Sequence, residues 1–201
     1  MAEYAIRPLS PDTWADFAGL AERHNGCRCA AHGSCWTGGD GCWCIRFQRS
    51  CAPKQPGEHN RDRKERLVSE GRAHAALVFD GAAAVAWCQY GRPEELPDIY
   101  HRREYEAGAD RLPDYRLTCL FVDKSCRRRG IGAAALRGAL DLIAQAGGGV
   151  VEAYPQDTDG QTISASFLYN GTRSLFAQAG FSYDRPKGTY HCVMSTTVPR
   201  A

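Results

Sequence analysis

Apolar and polar positions along this chain follow two periods, and the switches between them mark out its elements. Trp14, Phe17 and Leu20 fall on one helical face behind Ser10-Pro11-Asp12, where serine suits a cap and proline the first helical position. Residues 61–70 form a second, strongly polar helix; Leu67 and Val68 are its few apolar anchors, and its charges read as a solvated face. Asp80-Gly81 sits between two apolar runs, and both residues tolerate the left-handed backbone of a tight hairpin. Residues 115–122 read as a strand, since 117–122 contain no glycine, proline or net charge. In residues 133–144 apolar side chains recur at three and four, and Gly147-Gly148-Gly149 ends that helix. Residues 150–154 read as a strand and 155–166 as a polar loop. Residues 171–179 read as a short helix stopped by Gly180, with 181–183 and 190–194 as final strands.

Two early helices followed by strands alternating with helices imply an α/β layered domain around one mixed sheet. Two stretches break the periodicity. Residues 24–58 are rich in Gly, Cys and Pro, and a long loop of this kind in a compact domain is usually functional. Residues 91–114, punctuated by Pro93, Pro97 and Pro113, form a second loop region.

Bulk properties narrow the function classes. With 201 residues and 43% apolar content, one domain over 1–201 with a full core is expected. A net charge of +2 gives no support to nucleic-acid binding. No stretch approaches the roughly 18 apolar residues of a membrane span, and Met1-Ala2-Glu3-Tyr4 opens without a basic patch or an apolar run. The chain therefore reads as cytoplasmic. Its ten cysteines then read as free thiols or metal ligands rather than bridges.

The most informative stretch is Arg127-Arg128-Arg129-Gly130-Ile131-Gly132, between the 117–122 strand and the 133–144 helix. A strand entering a tight glycine turn and then a helix aims several free backbone N–H groups at one point, and the helix dipole adds positive potential there. Such a turn binds phosphate. The P-loop pattern fails for want of Gly-Lys-Ser/Thr. The dinucleotide fingerprint fits only in part, and it usually opens a domain. Arg/Gln-x-x-Gly-x-Gly/Ala fits better, and it resembles the acetyl-coenzyme A loop of the GNAT superfamily of N-acetyltransferases.

The resemblance extends over most of the chain: Tyr4-Ala5-Ile6-Arg7-Pro8-Leu9 resembles that superfamily's first strand, residues 75–87 its central hairpin, and 171–181 its last helix and Gly-Phe step. Cys42-Trp43-Cys44, Trp87-Cys88-Gln89 and Glu95-Leu96-Pro97 resemble a bacterial subgroup within it. It implies a single GNAT-like domain with a mixed, mostly antiparallel central sheet of about six to seven strands flanked by helices. It also implies transfer of an acetyl group from acetyl-coenzyme A to a primary amine. The coenzyme would lie on the main chain of Leu120, Phe121 and Val122 and on the turn formed by Arg127, Arg128, Arg129, Gly130, Ile131, Gly132 and Ala133.

One departure from the pattern matters. The tyrosine that serves the superfamily as proton donor is replaced here by Phe176, and Tyr169 is the candidate substitute. Glu152, Glu94, Glu95 and Asp114 are candidate bases, Glu152 being unusual as a carboxylate inside a strand, and Thr118 is a candidate to orient a water. Residues 24–58 and 88–105, with Trp43, Trp87, Gln89 and Tyr105, are the expected acceptor wall, favouring a small or mid-sized organic amine. Cys27, Cys29, Cys35, Cys42 and Cys44 have a spacing open to structural zinc, and a redox-labile thiol cluster is a further reading, but packing thiols are the favoured one and no metal ligand is assigned. A sensor of acyl-coenzyme A or metal that has lost transfer is the alternative function. Self-association into a homodimer is left open.

Overall fold

A computed structural model describes residues 4–25, 41–157 and 168–201. Its framework is a seven-stranded sheet in the order β1-β2-β3-β4-β5-β7-β6. The strands are β1 (Ala5–Pro8), β2 (His74–Asp80), β3 (Ala83–Gly91), β4 (Tyr115–Val122), β5 (Gly149–Ala153), β6 (Ser182–Pro186) and β7 (Cys192–Val198). Every neighbouring pair is antiparallel except β4 and β5. The helices are α1 (Trp14–Glu22), α2 (Asn60–Ser69), α3 (Arg102–Ala107), α4 (Ile131–Gln145) and α5 (Arg173–Gln178). The sheet is thus mixed and mostly antiparallel, as the resemblance implied.

The alternation of side chains along each strand divides the core in two. Ala76, Val78, Ala86 and Cys88 face α4 and α5, joining Ile131, Ala135, Leu136, Ala139 and Ile143 of α4. Leu77 and Trp87, cross-strand partners, face the opposite side, where they meet Phe17 and Leu20 of α1, Leu67 of α2, and Trp43. The α4 stripe repeats at helical spacing because one face of the helix lies along the sheet.

Four local expectations shift. The polar helix starts at Asn60, and its basic residues are not all solvated: Arg63 and Lys64 are buried. Arg63 reaches the carbonyls of Arg49 and Ala52, and Lys64 Nζ donates to Gln48 Oε1 at 2.9 Å. Residues 46–52 fold over this helix, and their polar groups draw in its donors. The 91–114 loop contains α3, hidden in the sequence because Tyr105 is its one buried residue. The final strands start and end later than the apolar runs suggest, since β6 is an exposed edge.

Candidate active site

β4 organises the site. It pairs with β5 only through Tyr115, Arg116 and Leu117, and its register against β3 shifts between Gln89 and Tyr90, opposite Thr118. Thr118 Oγ1 is buried there without a hydrogen-bond partner among the described residues. Beyond this point residues 118–122 part from β5. The Leu120 N–H instead donates to the Tyr169 carbonyl at 2.7 Å. Along the parted strand runs a cavity of about 630 Å³. Lys124, Arg127 and Gly132 line one end, Leu120, Val122, Gly171 and Leu175 its middle, and Cys42, Cys44, Arg46, Phe47, Cys119 and Tyr169 the other.

The first end is built from one contiguous stretch. Asp123 closes β4 and caps a single turn, Lys124–Cys126, by accepting from Ser125 N at 3.0 Å and Ser125 Oγ at 2.8 Å. Its carboxylate also meets His24 at 3.3 Å and Arg23 at 3.6 Å, which pins the end of α1 to the turn. Burial pushes the Asp123 carboxyl up, but hydrogen bonds from Ser125 and His24 outweigh it and bring it down to about 2. The chain then turns through Arg128 (φ 62°) and Gly130 (φ 77°), left-handed positions of which the second suits glycine best. The first α4 bond runs from Ala134 N to Gly130 O at 3.1 Å, so the amides of Ile131, Gly132 and Ala133 have no acceptor within the helix. An anion placed there meets those amides and the positive end of a long helix. A Cβ built on Gly132 meets only Leu120 and Val122, both at 3.8 Å, so the fold does not need this glycine but a ligand close to the backbone would. Of the three arginines, Arg127 lines the cavity, whereas Arg129 turns away to Asp80 at 3.0 Å.

The second end is assembled from distant segments. Trp43 and Cys44 both take left-handed backbone (φ 48° and 53°). The Trp43 ring is held against Trp14 and Phe17 at 6.2 and 6.3 Å, while Cys42 and Cys44 line the cavity. Cys44 Sγ lies 2.9 Å from Cys119 Sγ of β4. Lys64 is buried near Cys44, Cys119 and Cys42; burial lowers its pKa, and the nearby thiols oppose that shift. Phe47 packs toward Tyr169 at 6.3 Å.

Of the residues singled out from the sequence, the cavity brings together Leu120, Phe121, Val122, Arg127, Gly132 and Tyr169. Of the expected acceptor wall, Cys42, Cys44, Arg46 and Phe47 line the cavity, but the four side chains named for it lie elsewhere. Trp87 is fully buried, stacked on Phe121 at 4.4 Å and against Phe17 at 4.8 Å, because its strand position points into the α1 side of the core. Trp43 belongs to the same core, and Gln89 is buried with its amide 3.4 Å from Gln48 Oε1. Tyr105 donates to Glu152 at 2.8 Å, and Tyr154 to the same carboxylate oxygen at 3.0 Å. That buried cluster, with Arg116 over the Tyr105 ring, satisfies Glu152 away from the cavity wall. Asp114 accepts from Val150 N at 2.7 Å and so secures the start of β5. Glu95 accepts from Arg92 N at 2.8 Å and pairs with His74 at 3.2 Å. Burial raises the Glu95 pKa, but these partners outweigh it and hold the carboxyl below its usual range. Glu94 borders a separate cavity of about 450 Å³. Phe176 is buried against Phe181, ring centres 5.1 Å apart. His24, Arg46 and Phe47 fall within the 24–58 stretch expected to form the acceptor wall, whereas Cys119 was not expected there; it shares no motif with them, and only the folded chain joins them.

Among the described residues no group of His, Cys, Asp and Glu side chains could hold a metal ion, and Cys27, Cys29 and Cys35 lie outside the described residues. No helix there is long and apolar enough to cross a membrane.

Comparison with known proteins agrees with this geometry. The profile of the acetyltransferase (GNAT) family matches residues 43–167. A histone acetyltransferase HPA2 and related acetyltransferase from Corynebacterium glutamicum is similar in fold at 16% identity and a TM-score of 0.52, covering 100% of this chain and 98% of that one. The acetyltransferase of GNAT family from Streptococcus pneumoniae is similar at 15% identity and a TM-score of 0.50, covering 98% and 99%. No curated protein matches the chain significantly.

Proposed function

Because the chain belongs to the acetyltransferase (GNAT) family, we propose that it moves an acetyl group from acetyl-coenzyme A to a primary amine of a small or mid-sized molecule. What carries this reading is one cavity that runs from the phosphate turn, along the parted strand, to the end lined by Phe47 and Tyr169. The pyrophosphate would sit on the free amides at the start of α4, with Arg127 beside it. The pantetheine arm would lie along Leu120 to Val122, and the amine would enter from the thiol-lined end. The Leu120 N–H already donates to the Tyr169 carbonyl, so a different donor must polarise the thioester carbonyl.

The amine nitrogen attacks the thioester carbonyl carbon, the C–S bond breaks, and coenzyme A leaves as a thiolate. Phe176 has no proton to give that thiolate, and the Tyr169 hydroxyl is the candidate donor among the groups that line the cavity. Glu152, Glu95 and Asp114 are engaged elsewhere, so the ammonium delivers its proton to water. Release of free thiol from acetyl-coenzyme A across a panel of amines tests the reading, with amine-dependent release expected. Phe176 also favours a second reading, a sensor without transfer. Undiminished affinity for acetyl-coenzyme A with no thiol release from any amine would establish that alternative.

A further inference from the structure

Cys44 and Cys119 are separated by 75 positions in sequence, yet their sulfurs lie 2.9 Å apart. Neither is in a disulfide, and both line the cavity, so a small oxidant in solution reaches them through it. A disulfide at about 2.05 Å requires the sulfurs to close by roughly 0.9 Å. The two backbones are held in different ways. Cys119 is held in the middle of β4, paired with Gln89, while Cys44 sits on a left-handed turn whose neighbour Trp43 is anchored in the core.

We propose that Cys44 and Cys119 are a redox modification site: hydrogen peroxide entering the cavity joins them in a disulfide that locks the end proposed for the amine in one arrangement and stops acetyl transfer until a thiol reductant releases it. The chemistry balances without another reactant. One thiolate attacks a peroxide oxygen and becomes a sulfenic acid as the other oxygen leaves as water. The second thiol then attacks that sulfur, the S–S bond forms, and a second water departs. Two thiols are oxidised and one peroxide is reduced. The bond ties the 41–45 turn to β4 at the cavity end farthest from the phosphate turn, so coenzyme binding at Gly132 and Arg127 is spared.

Neighbouring thiols are placed differently. Cys88, close to Cys44, is buried on the α4 side of the sheet, outside the cavity wall, and burial pushes it up to about 12. Cys51 points to the carbonyls of Gln48 and Glu95, and burial raises its pKa. The buried amine of Lys64, by contrast, lies near Cys44 and Cys119 and donates to Gln48 Oε1 at 2.9 Å.

The loss of transfer rests on the function proposed above, whereas formation of the bond does not, and the test separates the two. The whole protein is treated with hydrogen peroxide, and its mass, non-reducing peptide map and transfer rate are followed, together with Cys44→Ser and Cys42→Ala variants. The expected result is a loss of about 2 Da, a Cys44–Cys119 cross-linked peptide, and a fall in transfer of more than about tenfold that dithiothreitol reverses. Cys44→Ser should keep its own untreated rate after peroxide, and Cys42→Ala should respond like the parent. Calorimetry should find coenzyme A affinity unchanged within about twofold in the oxidised protein. Sulfinic acid on Cys119 without a cross-link, or a cross-link to any other cysteine, would overturn the site. A correct cross-link with undiminished transfer would overturn its gating role. A correct cross-link in a protein that never transfers acetyl leaves the dithiol standing and removes the acetyltransferase reading.

Discussion

The two ends of the cavity are made in different ways. The end proposed for the phosphates is one run of chain, 123–132, whose caps, left-handed turn and helix start are local events. The end proposed for the amine draws Cys44 from the core between the sheet, α1 and α2, Phe47 and Tyr169 from a smaller cluster with Leu96, and Cys119 of β4, which packs against both. A local site tolerates small changes beside it, because its geometry is fixed by its own hydrogen bonds. A dispersed site inherits the stability of the core that aligns it. Damage at the first end should therefore appear as lost affinity in a folded protein, and damage beneath the second as lost stability before any change in specificity.

The largest effect that sharpens this contrast is expected at Trp87. Trp87→Ala empties a fully buried site between Phe17 and Phe121 and should lower stability by about 3–5 kcal/mol, measured by urea unfolding. A stable variant with altered amine preference would instead return Trp87 to the acceptor wall. Next comes Gly132→Asp, whose Cβ the fold accommodates but whose charge faces the phosphate position. Loss of hydrogen bonds to a charged group should weaken coenzyme A binding by about 3 kcal/mol, roughly a hundredfold, with the melting temperature held. Equal affinity by calorimetry would remove the phosphate from this turn.

The same contrast explains what the sequence disclosed. The β4 strand, the glycine turn and α4 were legible because apolar period, turn chemistry and a motif coincide in neighbouring residues. The Asp80-Gly81 hairpin was legible for the same reason. Trp43, Trp87, Gln89 and Tyr105 were expected in an acceptor wall from their stretches of chain and residue type, and neither can say which face of a strand or turn meets solvent. Glu152 looked exceptional as a strand carboxylate; the phenols of Tyr105 and Tyr154 that satisfy it come from 47 residues upstream and from two positions on. The proximity of Cys44 to Cys119 leaves no trace in spacing, because it arises from the fold of α1, α2 and the sheet together.

Smaller effects test the proton route. Tyr169→Phe should lower kcat about tenfold with little change in KM for acetyl-coenzyme A, if its hydroxyl protonates the departing thiolate. An unchanged kcat would hand that role to water. Phe176→Tyr places a hydroxyl among Phe181 and the α4-facing core, so it should cost about 1–2 kcal/mol in stability and raise turnover little. A gain of orders of magnitude would show instead that the native chain lacks a donor.

The smallest effect probes the joint between the two regions. Asp123 belongs to the phosphate turn, yet His24 and Arg23 at the end of α1 reach its carboxylate. Its pKa lies at about 2 in the folded protein, below the 3.8 of an unperturbed aspartate, so the folded state holds the ionised form more tightly than the unfolded chain does. A depressed carboxyl stabilises fully above its unfolded value and loses that contribution as pH falls toward its folded value. Asp123→Asn should therefore cost about 1 kcal/mol near neutral pH, discounted for the half-exposed Arg23. That gap from the parent should stay level down to about pH 5 and shrink between about pH 4 and pH 2 as the parent's own carboxyl protonates. Urea unfolding of both proteins at about pH 6 and about pH 2.5 reads it directly. A gap that persists at the lower pH would mean that Asp123 works through shape rather than charge, and that nothing electrostatic couples α1 to the phosphate turn.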